Sequence, residues 1–459
     1  MRWIRGEPGF REALIGWGRQ VRPPSRGMIR LTYGLAIVNV LLLLLAGCSA
    51  PWNGKQSTVM PTATAQFAGG EPVLPQLQKL YREAPLPSRS DTTTGEQFWS
   101  LAGHDPANTA ASTGSPVRGN MQWFFQTPDP VLASPIVADG LALVNGGDGV
   151  LYAVDSSTGS LRWQVPAGDT LVAGTPAVAD GVVYAAAQGH GLMALNLNTG
   201  MPLWKVDTHL PVRAAPMAVG SLLFVMAGAN ELLCLDRLTG KEYWQFRSED
   251  VLSNFWPSQG LPAVTINDGG LVFVALGAST EFNALSLRTG RKVWEQTMDS
   301  RMVGSPVYDA QSGLVFAATW MGHIYAMDSH TGAIKWGYDL PKAGTIGVGL
   351  ASGPALANET LFIGDYTGRV MALDALNGRP HWIFQGQGSI VASPVVLMAN
   401  GAGMDVYVAN RDGNLTALNG INGSQEWHLY LGELRSAPVL VNGSLFVGSV
   451  GEHGLFALN

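Results

Sequence analysis

Between residues 134 and 165 the chain alternates short apolar runs with polar, glycine-containing breaks. The runs are residues 134–138, 141–145, 151–154 and 161–165, and the breaks are Asp139-Gly140 and residues 146–149. Apolar runs this short, bounded by turn formers, predict four β-strands in up-and-down order. The arrangement then recurs. Variations on Ala-x-Asp-x-x-Thr-Gly-x-x-x-Trp occur seven times, first at Ala153, Asp155, Thr158, Gly159 and Trp163. The tryptophans Trp163, Trp204, Trp244, Trp294, Trp336, Trp382 and Trp427 lie 40 to 50 residues apart. That period suits one four-stranded propeller blade per repeat.

The motif residues have separable tasks. Asp155 and its equivalents Asn196, Asp236, Ser286, Asp328, Asp374 and Asn419 can accept a hydrogen bond from the backbone two residues on, and the motif glycine can take positive φ in the turn. The tryptophan's apolar body is expected to wedge between blades, with its indole N–H needing a polar partner. An eighth motif begins at residues 455–459 and is completed near the other end by Gly119 and Trp123. The strand around Trp123 should therefore close the blade built by residues 434–459, leaving no open sheet edge. Eight prolines agree with that count: Pro135, Pro176, Pro216, Pro262, Pro306, Pro354, Pro394 and Pro438. Each would start an inner strand, where no ladder donor is required. The residue two before each is Gly, Ala or Ser, as eight strands converging on a crowded axis require. The predicted class is all-β, an eight-bladed β-propeller over residues 96–459.

The first 95 residues have a different texture. Residues 34–46 are apolar and end in Leu45-Ala46-Gly47-Cys48, with Arg30 just before them. The run is short for a membrane span, although an uncleaved anchor or a buried segment remains an alternative. Residues 1–47 read as a leader, with Met1 or Met28 as its start, and 48–95, rich in Pro, Ser, Thr and Gln, as a flexible tether. Losing residues 1–47 removes seven Arg and two Glu, which leaves 21 basic and 32 acidic residues. So acidic a chain is a poor nucleic-acid partner. Cys48 and Cys234 are the only cysteines, and Cys234 stands where other repeats have Ala153, Ala194 and Ala284. A buried, inert thiol is expected there.

The tryptophan repeat resembles that of the pyrroloquinoline-quinone-type eight-bladed propellers. Residues 45–48 resemble the lipobox of bacterial lipoproteins, which implies cleavage before Cys48 and diacylglycerol on its sulfur. The two together resemble the propeller lipoproteins of the outer-membrane β-barrel assembly machine, as does the stretch from Trp99 to Thr109 ahead of the first blade. This resemblance implies a protein of the cell envelope, lipid-anchored outside the cytoplasm, monomeric, with protein partners there and no enzymatic activity. The quinoprotein side of the resemblance implies instead a dehydrogenase with Ca²⁺ held by carboxylate and amide oxygens, an Asp base and adjacent cysteines. No Cys-Cys pair exists here, and only Glu433 lies within about five residues ahead of any of the eight prolines. Neither a cofactor nor a metal is therefore expected.

Loops between blades and loops joining second to third strands should emerge on one face. They would bring Arg213, Gln259, Arg301, Glu433 and Arg435 to a rim shared with Asp148, His190, Trp320, His323, Tyr366, Arg411, Asp412, Glu452 and His453. Polar and aromatic loop residues on a rigid scaffold are where binding concentrates. Trp256, in an insertion ahead of Pro262, can pack within its loop or stack on a planar cofactor. The function read from the sequence is a membrane-anchored, non-enzymatic interaction scaffold that assists outer-membrane protein assembly. The alternatives are capture of a sugar-like or quinone-like ligand in a funnel lined by Arg213, Gln259 and Arg435, and the quinoprotein enzyme.

Overall fold

Up-and-down pairing of neighbouring strands costs little loop entropy, and the repeats fold accordingly into eight antiparallel sheets. The computed structural model describes residues 101–459 apart from 102, 106, 168–173, 188–190, 213, 249–263, 277–278, 341–348, 351 and 400–402. Blades 1 to 7 span residues 136–166, 177–207, 217–247, 265–297, 302–339, 355–385 and 395–430. In blade 1 the inner strand is Ile136–Ala138, shorter than the residue 134–138 run. Ser134 instead donates its N–H to Thr175 Oγ1 in the next interblade connection, at 3.1 Å, and Pro135 has no donor to offer.

Blade 8 is closed as expected. Met121–Gln126 is its outermost strand, lying beside Gly454–Leu458, Ser444–Ser449 and Val439–Val441. Trp123 pairs with Ala457 and Phe125 with Leu455. Asn120 and Asn459 exchange both backbone hydrogen bonds, at 2.9 and 3.0 Å. The eighth motif turn is thus assembled from both ends of the propeller, and every outer edge belongs to a complete four-stranded blade.

Each motif tryptophan packs on the turn of the following blade. Trp163 donates its indole N–H to the Leu197 carbonyl at 2.7 Å, Trp244 to Leu287 at 2.9 Å and Trp336 to Ala375 at 3.0 Å. Trp123, Trp294, Trp382 and Trp427 make the same bond to Ser156, Ser329, Gly420 and Val117. The motif glycine lies under the ring. A Cβ on Gly159 would come within 2.8 Å of the Trp123 ring, and one on Gly240 within 3.2 Å of Trp204. Positive φ is thus one reason for glycine at this position, and the tryptophan of the preceding blade is the other. Just before every one of the eight tryptophans the outer strand slips register by a residue, a bulge that re-aims the ring.

The turn oxygens behave as expected with one exception. Asp155 Oδ1 accepts from the Ser157 N–H at 3.0 Å, and Asn196, Asp236, Asp328, Asp374 and Asn419 make the equivalent bond. The blade 4 turn closes instead through the Ser286 carbonyl, which accepts from Gly290 N–H at 2.8 Å and Thr289 N–H at 3.2 Å. The crowding at the axis is also present: a Cβ on Gly304 would collide with the Gly353 backbone of the next blade.

One element has no counterpart in the sequence reading. Ala111–Gly114 runs parallel to Val395–Ala399, giving blade 7 a fifth, innermost strand. The four residues before it each bond a different blade. Asn108 donates its amide to the Val264 carbonyl at 2.9 Å, Ala107 accepts from Tyr308 N–H at 3.0 Å, Thr109 from Leu356 N–H at 2.8 Å and Ala110 from Val396 N–H at 2.9 Å. Asn108 and Ala110 take positive φ to do so. This segment runs along the inner strands of four consecutive blades, tying blades 4, 5, 6 and 7 together.

Candidate functional site

Backbone bonds show that the two predicted loop sets share the opposite face. Val131, Val212 and Leu350, on connections into blades 1, 3 and 6, bridge to Gly146, Ala227 and Asp365 at those blades' second-to-third-strand loops. The same ladder fixes equivalent positions. Trp320 N–H donates to the Arg301 carbonyl at 2.9 Å, Tyr366 to Gly349 at 3.3 Å, Arg411 to Ser389 at 2.9 Å and Val450 to Glu433 at 2.8 Å. Trp320, Tyr366 and Arg411 therefore occupy one structural position in three consecutive blades. Arg301 and Glu433 share the other.

These side chains form an arc along the rim. The Arg301 guanidinium lies 4.2 Å from the centroid of the Trp320 ring, a cation–π geometry. Trp320 meets Tyr366 edge-on, with centroids 5.5 Å apart and planes at 71°, as ring quadrupoles favour. Burial lowers the Arg301 pKa. Burial raises that of Tyr366, and the charges of Arg301 and Arg411 act on it in the other direction. The Tyr366 hydroxyl thus feels cations from both neighbouring blades.

The arc ends in an ion triad. Glu433 Oε1 accepts from Arg435 Nε at 2.7 Å and from Arg411 Nε at 3.1 Å. Burial alone would raise the Glu433 pKa, but the hydrogen bonds from Arg435 and Arg411 outweigh it and hold the carboxyl below its ordinary value. The Glu-x-Arg spacing at 433–435 was the sequence signal for this contact, whereas nothing local in sequence pointed to Arg411. The Trp320 side of Arg301 was legible only as shared loop membership.

The other rim candidates are scattered. Asp148 closes its own loop, accepting from the Tyr152 hydroxyl at 2.5 Å and the Val150 N–H at 3.1 Å. His323 stands at the start of a strand rather than within a loop, with Nδ1 at 3.5 Å from Asp299 and Nε2 at 3.6 Å from Asp339. Arg213, Gln259, Trp256 and His190 lie outside the described residues, as does Cys48. Of the proposed funnel lining, only Arg435 is described, and it is engaged by Glu433. Cys234 is fully buried, and burial pushes its thiol pKa up, so it is inert as expected.

Calcium needs several convergent oxygen ligands, and among the described residues no three His, Cys, Asp or Glu side chains converge on one point.

Comparison with known proteins agrees with the architecture and narrows the family. A protein of Acidithiobacillus ferrooxidans, tetrathionate hydrolase, is 25% identical over 305 residues, 59% of this chain and 56% of that one. The structure of a europium-containing methanol dehydrogenase superposes with a TM-score of 0.63 at 15% identity, covering 77% of this chain and 91% of that one; at that identity the likeness is one of fold. The outer membrane protein assembly factor BamB of Burkholderia pseudomallei is 25% identical over 305 residues, 60% of this chain and 75% of that one. The profile of the family described as outer membrane protein assembly factor BamB matches residues 88–254, 229–348 and 321–457, nearly the whole propeller. With its eight closed blades and tryptophan-docked repeats, the chain belongs to this BamB family of propellers.

Proposed function

We propose that the protein is a non-enzymatic interaction scaffold of the cell envelope, held to a membrane by lipid on Cys48, and that it serves outer-membrane protein assembly. Family membership supports the process, since the relative from Burkholderia pseudomallei carries that role in its name. The observation that carries the mode of action is the arc from Arg301 through Trp320 and Tyr366 to Arg411. Arginine and aromatic side chains dominate binding hot spots, and here they sit on rigid blades in register. The rim cations on an acidic protein suit a partner segment bearing carboxylates and apolar side chains. Membership in a propeller family does not by itself fix chemistry, and tetrathionate hydrolase carries an enzyme's name, so the test must separate the readings.

The experiment is affinity capture from a membrane fraction in mild detergent, comparing the native chain with the Arg301→Ala/Arg411→Ala variant. A scaffold yields a reproducible envelope protein that the variant fails to retain. Recovery of a bound quinone with Ca²⁺, or equal capture by the variant, would overturn the proposal. Anchoring is tested separately: Cys48→Ser should abolish fatty-acid labelling and membrane association while the propeller stays folded.

A further inference from the structure

Blade 7 differs from the others at one buried position, and a cavity results. The third-strand residue before the motif alanine packs toward the outer strand of the preceding blade. It is Tyr152 in blade 1, Tyr325 in blade 5 and Phe456 in blade 8, with Met, Leu or Asn elsewhere. Phe125, on the outer strand of blade 8, packs on Tyr152 at 5.6 Å between centroids. In blade 7 the position is Thr416, and the equivalent of Phe125 is Phe384. Both line a cleft of about 330 Å³ between blades 6 and 7, at the lower end of the roughly 300–1,000 Å³ range of small-molecule pockets.

The chemistry of the walls is specific. Phe384, Ile390 and Val408 give an apolar floor, and no Asp, Glu, Lys or Arg lines the cleft. Its polar groups are amides, one hydroxyl and one imidazole. Asn410 is engaged on both sides: its amide donates to the Gln387 carbonyl, and its Oδ1 accepts from the Asn414 N–H at 2.8 Å. Gln425 and His428 are paired at 3.1 Å on the outer lip. Among the described residues the side chains of Gln387, Asn414 and Thr416 form no hydrogen bond, which leaves donors and acceptors directed to one small volume.

We propose that this cleft binds a neutral saccharide of about hexose size. A charged ligand would lose hydration against walls without a counter-charge. Amide side chains offer paired donors and acceptors that match ring hydroxyls, and Phe384 supplies a surface for the apolar face of a pyranose. A peptide added as a strand would pair with the free backbone edge of an outer strand, whereas the walls of this cleft are side chains contributed by two neighbouring blades. The cleft uses none of the side chains of the Arg301–Arg411 arc and is independent of the scaffold role.

Saturation-transfer NMR on the full chain in a non-glycosidic detergent tests the proposal, with glucose, N-acetylglucosamine and glucuronate as probes. The expected result is saturable transfer to at least one neutral sugar and none to glucuronate. Thr416→Tyr, which refills the cleft as Tyr152 does in blade 1, should weaken that binding at least about tenfold, and Arg301→Ala/Arg411→Ala should leave it unchanged. Should Thr416→Tyr lower the melting temperature, Gln387→Ala/Asn414→Ala carries the same expectation without adding volume. Absence of transfer from both neutral sugars, preference for glucuronate, or undiminished binding in the folded cleft variants would overturn the assignment.

Discussion

The two faces of this propeller are built on opposite plans. On the motif face every blade repeats one contact, a tryptophan over the next blade's glycine, and in seven of them the indole N–H is seen on a neighbouring carbonyl. On the rim face equivalent positions diverge: Gly147 in blade 1, Trp320 in blade 5, Tyr366 in blade 6, Arg411 in blade 7 and Val450 in blade 8. Uniformity serves closure, since a ring is only as sound as its worst interface. Variation serves recognition, because a partner can be addressed only by a feature that some blades have and others lack. Substitutions on the two faces should therefore have opposite signatures.

The largest effect is expected from breaking closure. A chain beginning after residue 130 loses Met121–Gln126 together with the inner segment at 107–110, exposing the edge of Gly454–Leu458 and removing Trp123 from its seat on Gly159. Loss should exceed the roughly 3–5 kcal/mol of truncating a single buried aromatic. Aggregation and a sharply lowered melting temperature are the expected readout; equal stability to a chain beginning near residue 95 would refute the zipped ring. Trp336→Ala should follow, costing about 3–5 kcal/mol. It vacates the face of Gly378 and leaves the Ala375 carbonyl without its donor. Denaturant melts followed by circular dichroism would read both.

A smaller, pH-dependent effect belongs to the motif turns. The Asp155 carboxyl is held below its usual range by the Ser157 hydroxyl and then by Arg162. Asp328 is lowered by the Thr331 hydroxyl first. In Asp236 burial pushes upward, and Thr239 and Tyr243 outweigh it. Folded-state pKa values below the unfolded ones mean stability that is complete above the unfolded value, about 3.9 for Asp, and lost as pH falls through the folded values. Melting temperature should hold from neutrality to about pH 5 and decline below. Asp328→Asn should flatten part of that decline without unfolding the blade, because Asn196 and Asn419 already make the same turn bond.

How much of this was legible follows the same division. The blade count, the closing strand and the tryptophan contacts repeat, and repetition is what a single sequence displays. The inner segment at 107–110 occurs once, uses backbone carbonyls for three of its four bonds to the blades and leaves no side-chain signature in them except Asn108. Ser286 illustrates a local limit: it occupies the Asp position, but its turn is closed by backbone alone. On the rim, loop membership was predictable from strand order, while the meeting of Arg411 and Arg435 at Glu433 depends on how far blade 7 is rotated from blade 8. That angle is set by the packed core and by no local sequence.

The smallest effect on stability, and the sharpest on function, should come from the rim itself. Arg411→Ala is a surface truncation expected to move stability by no more than about 0.5 kcal/mol, and Arg301→Ala should cost about 1 kcal/mol. Arg411 is not the only partner of Glu433, because Arg435 remains at 2.7 Å, so its loss does not strand a carboxylate. Arg301→Ala gives up the stack on Trp320, a contact of about 0.5–1 kcal/mol at an exposed site before reorganisation. A partner docking on the arc would be released by the double variant while the propeller stays folded, and its affinity for the native chain should fall as salt is raised. Arg435→Ala is the control that separates charge from geometry. It removes a rim cation too, but leaves the Arg301–Trp320–Tyr366–Arg411 arc in place, so partner binding should persist. If Arg435→Ala abolished binding while Arg301→Ala/Arg411→Ala did not, recognition would lie with the ion triad between blades 7 and 8, and the aromatic arc would be packing alone.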